Sequence, residues 1–146
     1  MQVRTTRSDD YDALMGLMRQ LNPDDPPFGD AERETFEQVQ LADHLRLIVA
    51  ELDGQLVGSC YLNLIPNLTR GARPYALIEN VITDTRQRNQ GIGQALIDHA
   101  LQLAWEHNCY KVMLMSGRTE PAVHAFYRNC GFDPDSKQAY IRRAPA

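Results

Sequence analysis

The chain has 146 residues, of which 43% are hydrophobic and 23% charged, and a formal net charge of -4. That length suits a single domain over residues 1-146 with a core of its own, and the acidic balance argues against general affinity for nucleic acid, which needs a basic surface. No apolar run approaches the roughly 20 residues that cross a bilayer, and the first residues lack a signal peptide's apolar stretch, so the expectation is a cytoplasmic protein with no membrane contact.

Gln2 to Arg7 alternates weakly and reads as an edge strand. Ser8-Asp9-Asp10 is suited to capping the next helix and puts negative charge at its positive end. Tyr11, Leu14, Leu17, Met18 and Leu21 recur at helical spacing, and Asn22-Pro23 stops them. Pro23 to Gly29 reads as a loop, and a second helix runs from Asp30 to about Leu41. Leu45 to Leu52 and Gln55 to Ile65 are strands joined at Asp53-Gly54, a tight-hairpin signal. After a loop from Pro66 to Pro74, Tyr75 to Thr83 is a further strand.

Gly91 to His107 is the longest helix, with Ile92, Ala95, Leu96, His99, Ala100 and Leu103 on its buried stripe. The near-continuous apolar run Tyr110 to Met115 reads as a central, buried strand. Pro121 to Asn129 is a short helix with proline at its start and Gly131 at its stop. Gln138 to Arg142 reads as a last strand. The order is β-α-α-β-β-β-α-β-α-β, which implies a mixed α/β fold with helices on both faces of one sheet.

Cys60, Cys109 and Cys130 form no CxxC pair and read as small residues in a reducing cytosol. His44, His99, His107 and His124 lack metal-ligand spacing, so no metal is expected.

The segment Arg88-Asn89-Gln90-Gly91-Ile92-Gly93 lies between a strand and the longest helix. Its glycines let backbone approach a ligand closely, and the helix start offers unpaired N–H groups and the positive end of the dipole. It is neither a Walker loop nor a full dinucleotide fingerprint, and taken alone it also fits an ordinary tight turn. Glu79 interrupts an apolar strand, where a carboxylate needs water or a partner. It reads either as a base and ammonium-binding group or as half of a structural ion pair, with Asn80 beside it orienting a substrate or the strand. Arg70 and Arg73 flank Gly71 and read as binders of an anionic substrate group or as solvated loop charges.

Arg88 to Gly93 resembles the acetyl-CoA motif of the GNAT acetyltransferases, Arg/Gln-x-x-Gly-x-Gly/Ala, at every fixed position. Phe126-Tyr127 followed by Gly131-Phe132 is similar to the second signature of that family. The resemblance implies a GNAT fold with a mostly antiparallel sheet, and an enzyme that moves acetyl from acetyl-CoA to a primary amine. It implies that backbone amides from Gln90 through Gly91, Ile92 and Gly93 to Gln94 hold the CoA pyrophosphate, with Arg88 and Asn89 near it. Val81, Ile82 and Thr83 would pair with the pantetheine arm, and Tyr127 would protonate the departing thiolate.

Ile78-Glu79-Asn80-Val81, Asn108-Cys109-Tyr110-Lys111-Val112 and Tyr140-Ile141-Arg142-Arg143 are similar to the glucosamine-6-phosphate N-acetyltransferases, which implies a homodimer and an amino-sugar phosphate as acceptor. Asn80, Met115 and Thr119-Glu120-Pro121 stand where that subgroup carries other polar residues. The acceptor therefore stays open among small-molecule amines, antibiotics and protein amines, and a non-catalytic acyl-CoA-binding module is the alternative.

Overall fold

Five strands form one sheet in the order in which they occur along the chain, β1 Gln2–Thr5, β2 Leu45–Leu52, β3 Gln55–Ile65, β4 Tyr75–Thr83 and β5 Val112–Leu114. The computed structural model describes residues 1–146, which divide into two compact units, residues 1–114 and 115–146. The first four strands are antiparallel neighbours, and β5 runs parallel to β4. The tight turn between β2 and β3 has both central residues left-handed, Asp53 at φ 51 and Gly54 at φ 77. That conformation matches the twist of the strands it joins.

Helices α1 Tyr11–Leu21 and α2 Asp30–Leu41 cover one face of the sheet. Tyr11, Leu14 and Phe36 from these helices close a core cluster with Leu47 and Val49 of β2, and Tyr11 meets Phe36 edge-on at 5.3 Å between ring centres. Strand alternation sends Ile48 and Ala50 to the opposite face, in register with Cys60 and Gly58,. There α3 Ile92–Glu106 packs with Ile92, Leu96, Ile97, Ala100 and Ala104 buried. Each large apolar side chain so buried contributes about 1.5–3 kcal/mol.

Gly58 sets how closely α3 approaches. A Cβ on it would lie 2.9 Å from Ile92 Cγ2, 2.9 Å from Leu96 Cδ1 and 3.0 Å from the Ile82 carbonyl oxygen. Gly58→Ala is expected to destabilise the protein by about 1–3 kcal/mol, since overpacking forces rotamer and backbone shifts. A urea denaturation midpoint equal to wild type would contradict that packing.

Ser8-Asp9-Asp10 is a short 3₁₀ turn rather than a side-chain cap for α1. Asp10 is drawn away by an ion network in which Arg4 bonds both Asp10, at 2.7 and 3.0 Å, and Glu51, at 2.7 and 3.1 Å. Arg4 is the main cause that holds the Asp10 carboxyl below its usual range, with the Arg7 amide assisting. A lowered folded-state pKa contributes stability above the unfolded value and loses it as pH falls through the folded one. Thermal scans should therefore show the melting temperature dropping below about pH 4, with Asp10→Asn flattening that slope and costing roughly 2 kcal/mol at neutral pH. A slope unchanged in the variant would show that other carboxylates set the acid limit.

Two strands expected from the sequence differ. The Tyr110 to Met115 run yields only β5, three half-buried residues at the edge of the sheet rather than at its centre. Gln138 to Arg142 forms no strand, and Tyr140 and Ile141 are 88% and 70% exposed.

In the second unit, α4 Pro121–Asn129 begins on its proline and ends in a turn where Gly131 has φ 89. The Phe132 N–H donates to the Tyr127 carbonyl at 3.1 Å.

Candidate active site

β4 and the start of α3 carry the proposed ligand-binding residues of the first unit, and backbone geometry distinguishes both. β3 and β4 pair regularly from Ile65↔Tyr75 to Tyr61↔Glu79, and resume at Ser59↔Ile82. Three steps along β4 thus match two along β3, a bulge. Asn80 sits at this point with φ 52, a left-handed conformation that asparagine tolerates better than most side chains,.

On its other side β4 is paired only through Ala76, Leu77 and Ile78, opposite Val112, Met113 and Leu114. No strand of the sheet pairs with Glu79–Thr83 on that side. About 16 Å of strand edge, at ~3.3 Å per residue, therefore carries no ladder partner, the kind of edge to which an extended ligand can add.

This edge leads into the turn before α3. Asp84 is buried and its carboxylate is held by the Arg86 guanidinium at 2.7 and 3.1 Å and the Arg86 N–H at 2.9 Å. These bonds keep its pKa down at about 2. The Thr85 N–H donates to Gln20 Oε1 of α1 at 3.0 Å, tying the turn to the helix layer. Asn89 at φ 61 and Gly91 at φ 77 then turn the chain so that α3 starts at Ile92. The start has no side-chain cap and no acidic residue in its first turn. Arg88, Asn89, Gln90 and Gly91 are exposed, while Gly93 and Gln94 are half-buried. Gln90 is steadied by Gln87 at 2.9 Å, and Gln94 Nε2 donates to Asp98 at 2.7 Å. First-turn N–H groups with a dipole behind them and no competing carboxylate suit a phosphate.

Glu79 lies half-buried beside the bulge, directly across from Tyr61. Its carboxylate enters none of the ion pairs or side-chain hydrogen bonds, so the structural ion pair considered for it is not formed. Burial pushes the Tyr61 phenol above its ordinary pKa, and the nearby Asn80 side chain opposes that shift. Tyr61 also closes an apolar cleft of about 200 Å³ between the sheet and α1 and α2, lined by Met15, Met18, Phe36 and Val39. The sequence did not single out Tyr61. Its only signal was a place in the alternation of β3.

Arg73 is taken up elsewhere. Its guanidinium donates to the carbonyls of Asn108 and Cys109, each at 3.2 Å, just past the end of α3. Arg70 lies over the Tyr110 ring at 5.8 Å, and the Lys111 ammonium is 5.2 Å from the Tyr75 ring and 5.3 Å from the Tyr110 ring. No carboxylate pairs with Arg70 or Lys111. In the second unit Tyr127 is packed edge-on against Phe126 at 5.0 Å and Phe132 at 6.4 Å.

Comparison with known proteins matches residues 13–132 to the profile of the acetyltransferase (GNAT) family. A solved structure from Agrobacterium tumefaciens, described as an acetyltransferase, superposes with a TM-score of 0.92 at 40% identity, covering 98% of this chain and 100% of the other. Glucosamine 6-phosphate N-acetyltransferase 1 of Oryza sativa subsp. japonica is 29% identical over 82% of this chain and 72% of its own. Glucosamine 6-phosphate N-acetyltransferase of Trypanosoma brucei brucei is 28% identical over 94% of this chain and 92% of its own.

Proposed function

As the chain belongs to the acetyltransferase (GNAT) family and is an acetyltransferase, we propose that it transfers the acetyl group of acetyl-CoA to a primary amine of a small molecule by direct attack in a ternary complex. The observation that carries this reading is the open edge of β4 running into the uncapped start of α3. The amides from Gln90 to Gln94 hold the pyrophosphate, Arg88 adds charge beside it, and Val81, Ile82 and Thr83 pair with the pantetheine arm. The Val81 N–H, next to the bulge, stabilises the oxyanion. Glu79, directly or through water, takes the proton of the attacking amine, and Tyr127 returns one to the departing thiolate. No covalent enzyme intermediate is needed. The family match crosses the boundary between the two units, which supports reading both as parts of one domain.

A base matters because a lysine-like amine is only about 0.04% neutral at pH 7, a deficit of about 4.6 kcal/mol. A carboxylate free of any cation is available for that task. The experiment is a panel of amino sugars, amino-sugar phosphates, amino acids, polyamines and aminoglycosides incubated with acetyl-CoA, following thiol release. Amine-dependent release, reduced in Tyr127→Phe, supports the enzyme. CoA binding with no release for any amine favours the non-catalytic module.

One observation favours an acceptor that also carries an anion, such as an amino-sugar phosphate. Lys111 lies against Tyr75, which shares a β4 face with Glu79 four residues away, about 13 Å along the strand,. Lys111 and Arg70, without carboxylate partners, would hold the anion, while Glu79 and Asn80 meet the amine. The two relatives named for glucosamine 6-phosphate support this reading. Phosphorylated amino sugars should then outperform unphosphorylated ones in the panel.

A homodimer is proposed on the exposed Tyr140 and Ile141, which form no strand in the single chain and would bring Arg142 and Arg143 towards the partner's site. Sedimentation of a chain ending at residue 137 should give a monomer. A cytoplasmic location fits three cysteines that form no disulfide,. No helix is long and apolar enough to cross a membrane.

A further inference from the structure

We propose that Asn67 and Arg73 are positioning residues for acceptor recognition: they clamp a left-handed turn at Arg70 to Ala72, and that turn holds the Arg70 guanidinium over the Tyr110 ring, beside Lys111, where it takes the anionic group of the acceptor. The inference rests on the reading that Arg70 and Lys111 hold such a group.

Between β3 and β4, Arg70 at φ 57, Gly71 at φ 68 and Ala72 at φ 60 are left-handed in succession. Glycine adopts that region freely, but arginine and alanine do so at a cost, and L-residues visit it singly rather than in runs. Such a run persists where the surroundings over-determine it, and strain of this kind gathers at ligand clamps. Inside the turn the Ala72 N–H donates to the Thr69 carbonyl at 3.1 Å, and the Arg73 N–H to the Arg70 carbonyl at a longer 3.4 Å. Asn67, half-buried, closes the turn across its two ends. Its Nδ2 donates to the Thr69 carbonyl at 3.0 Å, to Thr69 Oγ1 at 3.0 Å and to the Arg73 carbonyl at 3.2 Å.

Arg73 ties this turn to the segment that carries the second cation. Its Nε donates to the Asn108 carbonyl and its Nη2 to the Cys109 carbonyl, each at 3.2 Å. A planar guanidinium can hold two successive carbonyls at once, which the point charge of an ammonium does not reproduce. The Tyr110 N–H donates to the Pro74 carbonyl at 3.0 Å and completes the joint. Arg70 Cζ then lies 5.8 Å from the Tyr110 ring centre, and Lys111 Nζ 5.3 Å from the same centre. Tyr110 is itself edge-on to Tyr75, the first residue of β4, at 6.4 Å. Two cations on one ring, with no carboxylate paired to either, repel each other, and an anion shared by them relieves that repulsion,.

The test uses the full chain with a phosphorylated amino sugar that the amine panel shows to be acetylated. Asn67→Ala should raise KM for that acceptor about tenfold with kcat and KM for acetyl-CoA changed less than about twofold, as expected for a contact made equally in ground and transition states. KM for the unphosphorylated sugar should stay within about twofold of wild type, since it has no group for Arg70 to hold. Arg73→Lys keeps the charge but not the fork, and should raise the acceptor KM roughly fivefold. Arg70→Ala should raise it about tenfold, and Asn67→Ala added to that background should change it less than about twofold, because Asn67 acts through Arg70. Ala72→Gly makes the left-handed turn easier without the clamp, so it should restore most of the KM lost in Asn67→Ala, which separates a local defect from unfolding. Amide exchange at residues 72 and 73, with no substrate present, should be faster in Asn67→Ala than in wild type. If Arg70→Ala raises the acceptor KM and Asn67→Ala or Arg73→Lys does not, the positioning role is overturned while the anion reading stands. A full further loss in the Arg70→Ala background, no recovery with Ala72→Gly, or unchanged exchange overturns it as well. If Arg70→Ala changes nothing, or wild type acetylates no phosphorylated amine, the anion reading itself fails and the acceptor role falls with it.

Discussion

Gly91→Val is expected to weaken CoA binding about 100-fold or more, measured by calorimetry, while leaving the chain folded. Gly91 is the residue before α3, at φ 77 and ψ 6, and nothing lies within 4 Å of the place a Cβ would take. A steric clash is therefore not the cause. A β-branched residue resists the left-handed region, so the turn must re-form and the first amides of α3 change direction. Each hydrogen bond to a charged phosphate contributes roughly 1.5–3 kcal/mol, and misdirecting two of them gives the stated loss. Binding within threefold of wild type would show that the helix start does not grip the ligand.

Glu79→Gln is expected to lower kcat by about 100- to 1,000-fold at pH 7, within the range for loss of a positioned base. The substitution preserves size while removing the charge and the basic oxygen, and the backbone at Val81 to Thr83 is untouched, so KM for acetyl-CoA should change little. The sign of the pH dependence follows from the acceptor. As pH rises towards the amine's own pKa, about 10.4 for a lysine-like group, the neutral fraction supplies itself and the deficit of the variant should shrink. A loss that is constant from pH 7 to 10 would mean that Glu79 binds or orients rather than accepts a proton.

Much of this framework is visible in the residues themselves. Leu14, Leu17 and Phe36 at helical spacing, and the continuous apolar run from Leu47 to Ala50, carry enough pattern to place α1, α2 and β2. Asp53-Gly54 fixes the hairpin because few other pairs tolerate two left-handed residues in sequence. The turn before α3 is legible from Gly91 and Gly93, since glycine there has a specific backbone purpose.

Other features depend on neighbours that a linear reading does not contain. The run from Tyr110 to Met115 is apolar enough for a central strand, yet only Val112, Met113 and Leu114 pair, and with β4 alone. Apolar character records burial demand, not the number of strand neighbours. Gln138 to Arg142 carries the strand-favouring Tyr140 and Ile141, but such residues without a partner strand make no ladder. The bulge at Asn80 arises from a mismatch between two strands, so neither strand announces it. Arg73 and Arg70 look alike in sequence. Only the fold shows that the first is bonded to the carbonyls that follow α3, while the second stays beside Tyr110 and Lys111.

The central claim is that coenzyme A lies along the open edge of β4 with its pyrophosphate on the first turn of α3. Backbone amide shifts followed by NMR during titration with CoA test it most directly. The account predicts the largest changes at residues 81–83 and 90–94. Saturation with those amides unmoved, or shifts concentrated in the polar cleft lined by Arg4, Arg7, Gln20 and Gln55, would contradict it.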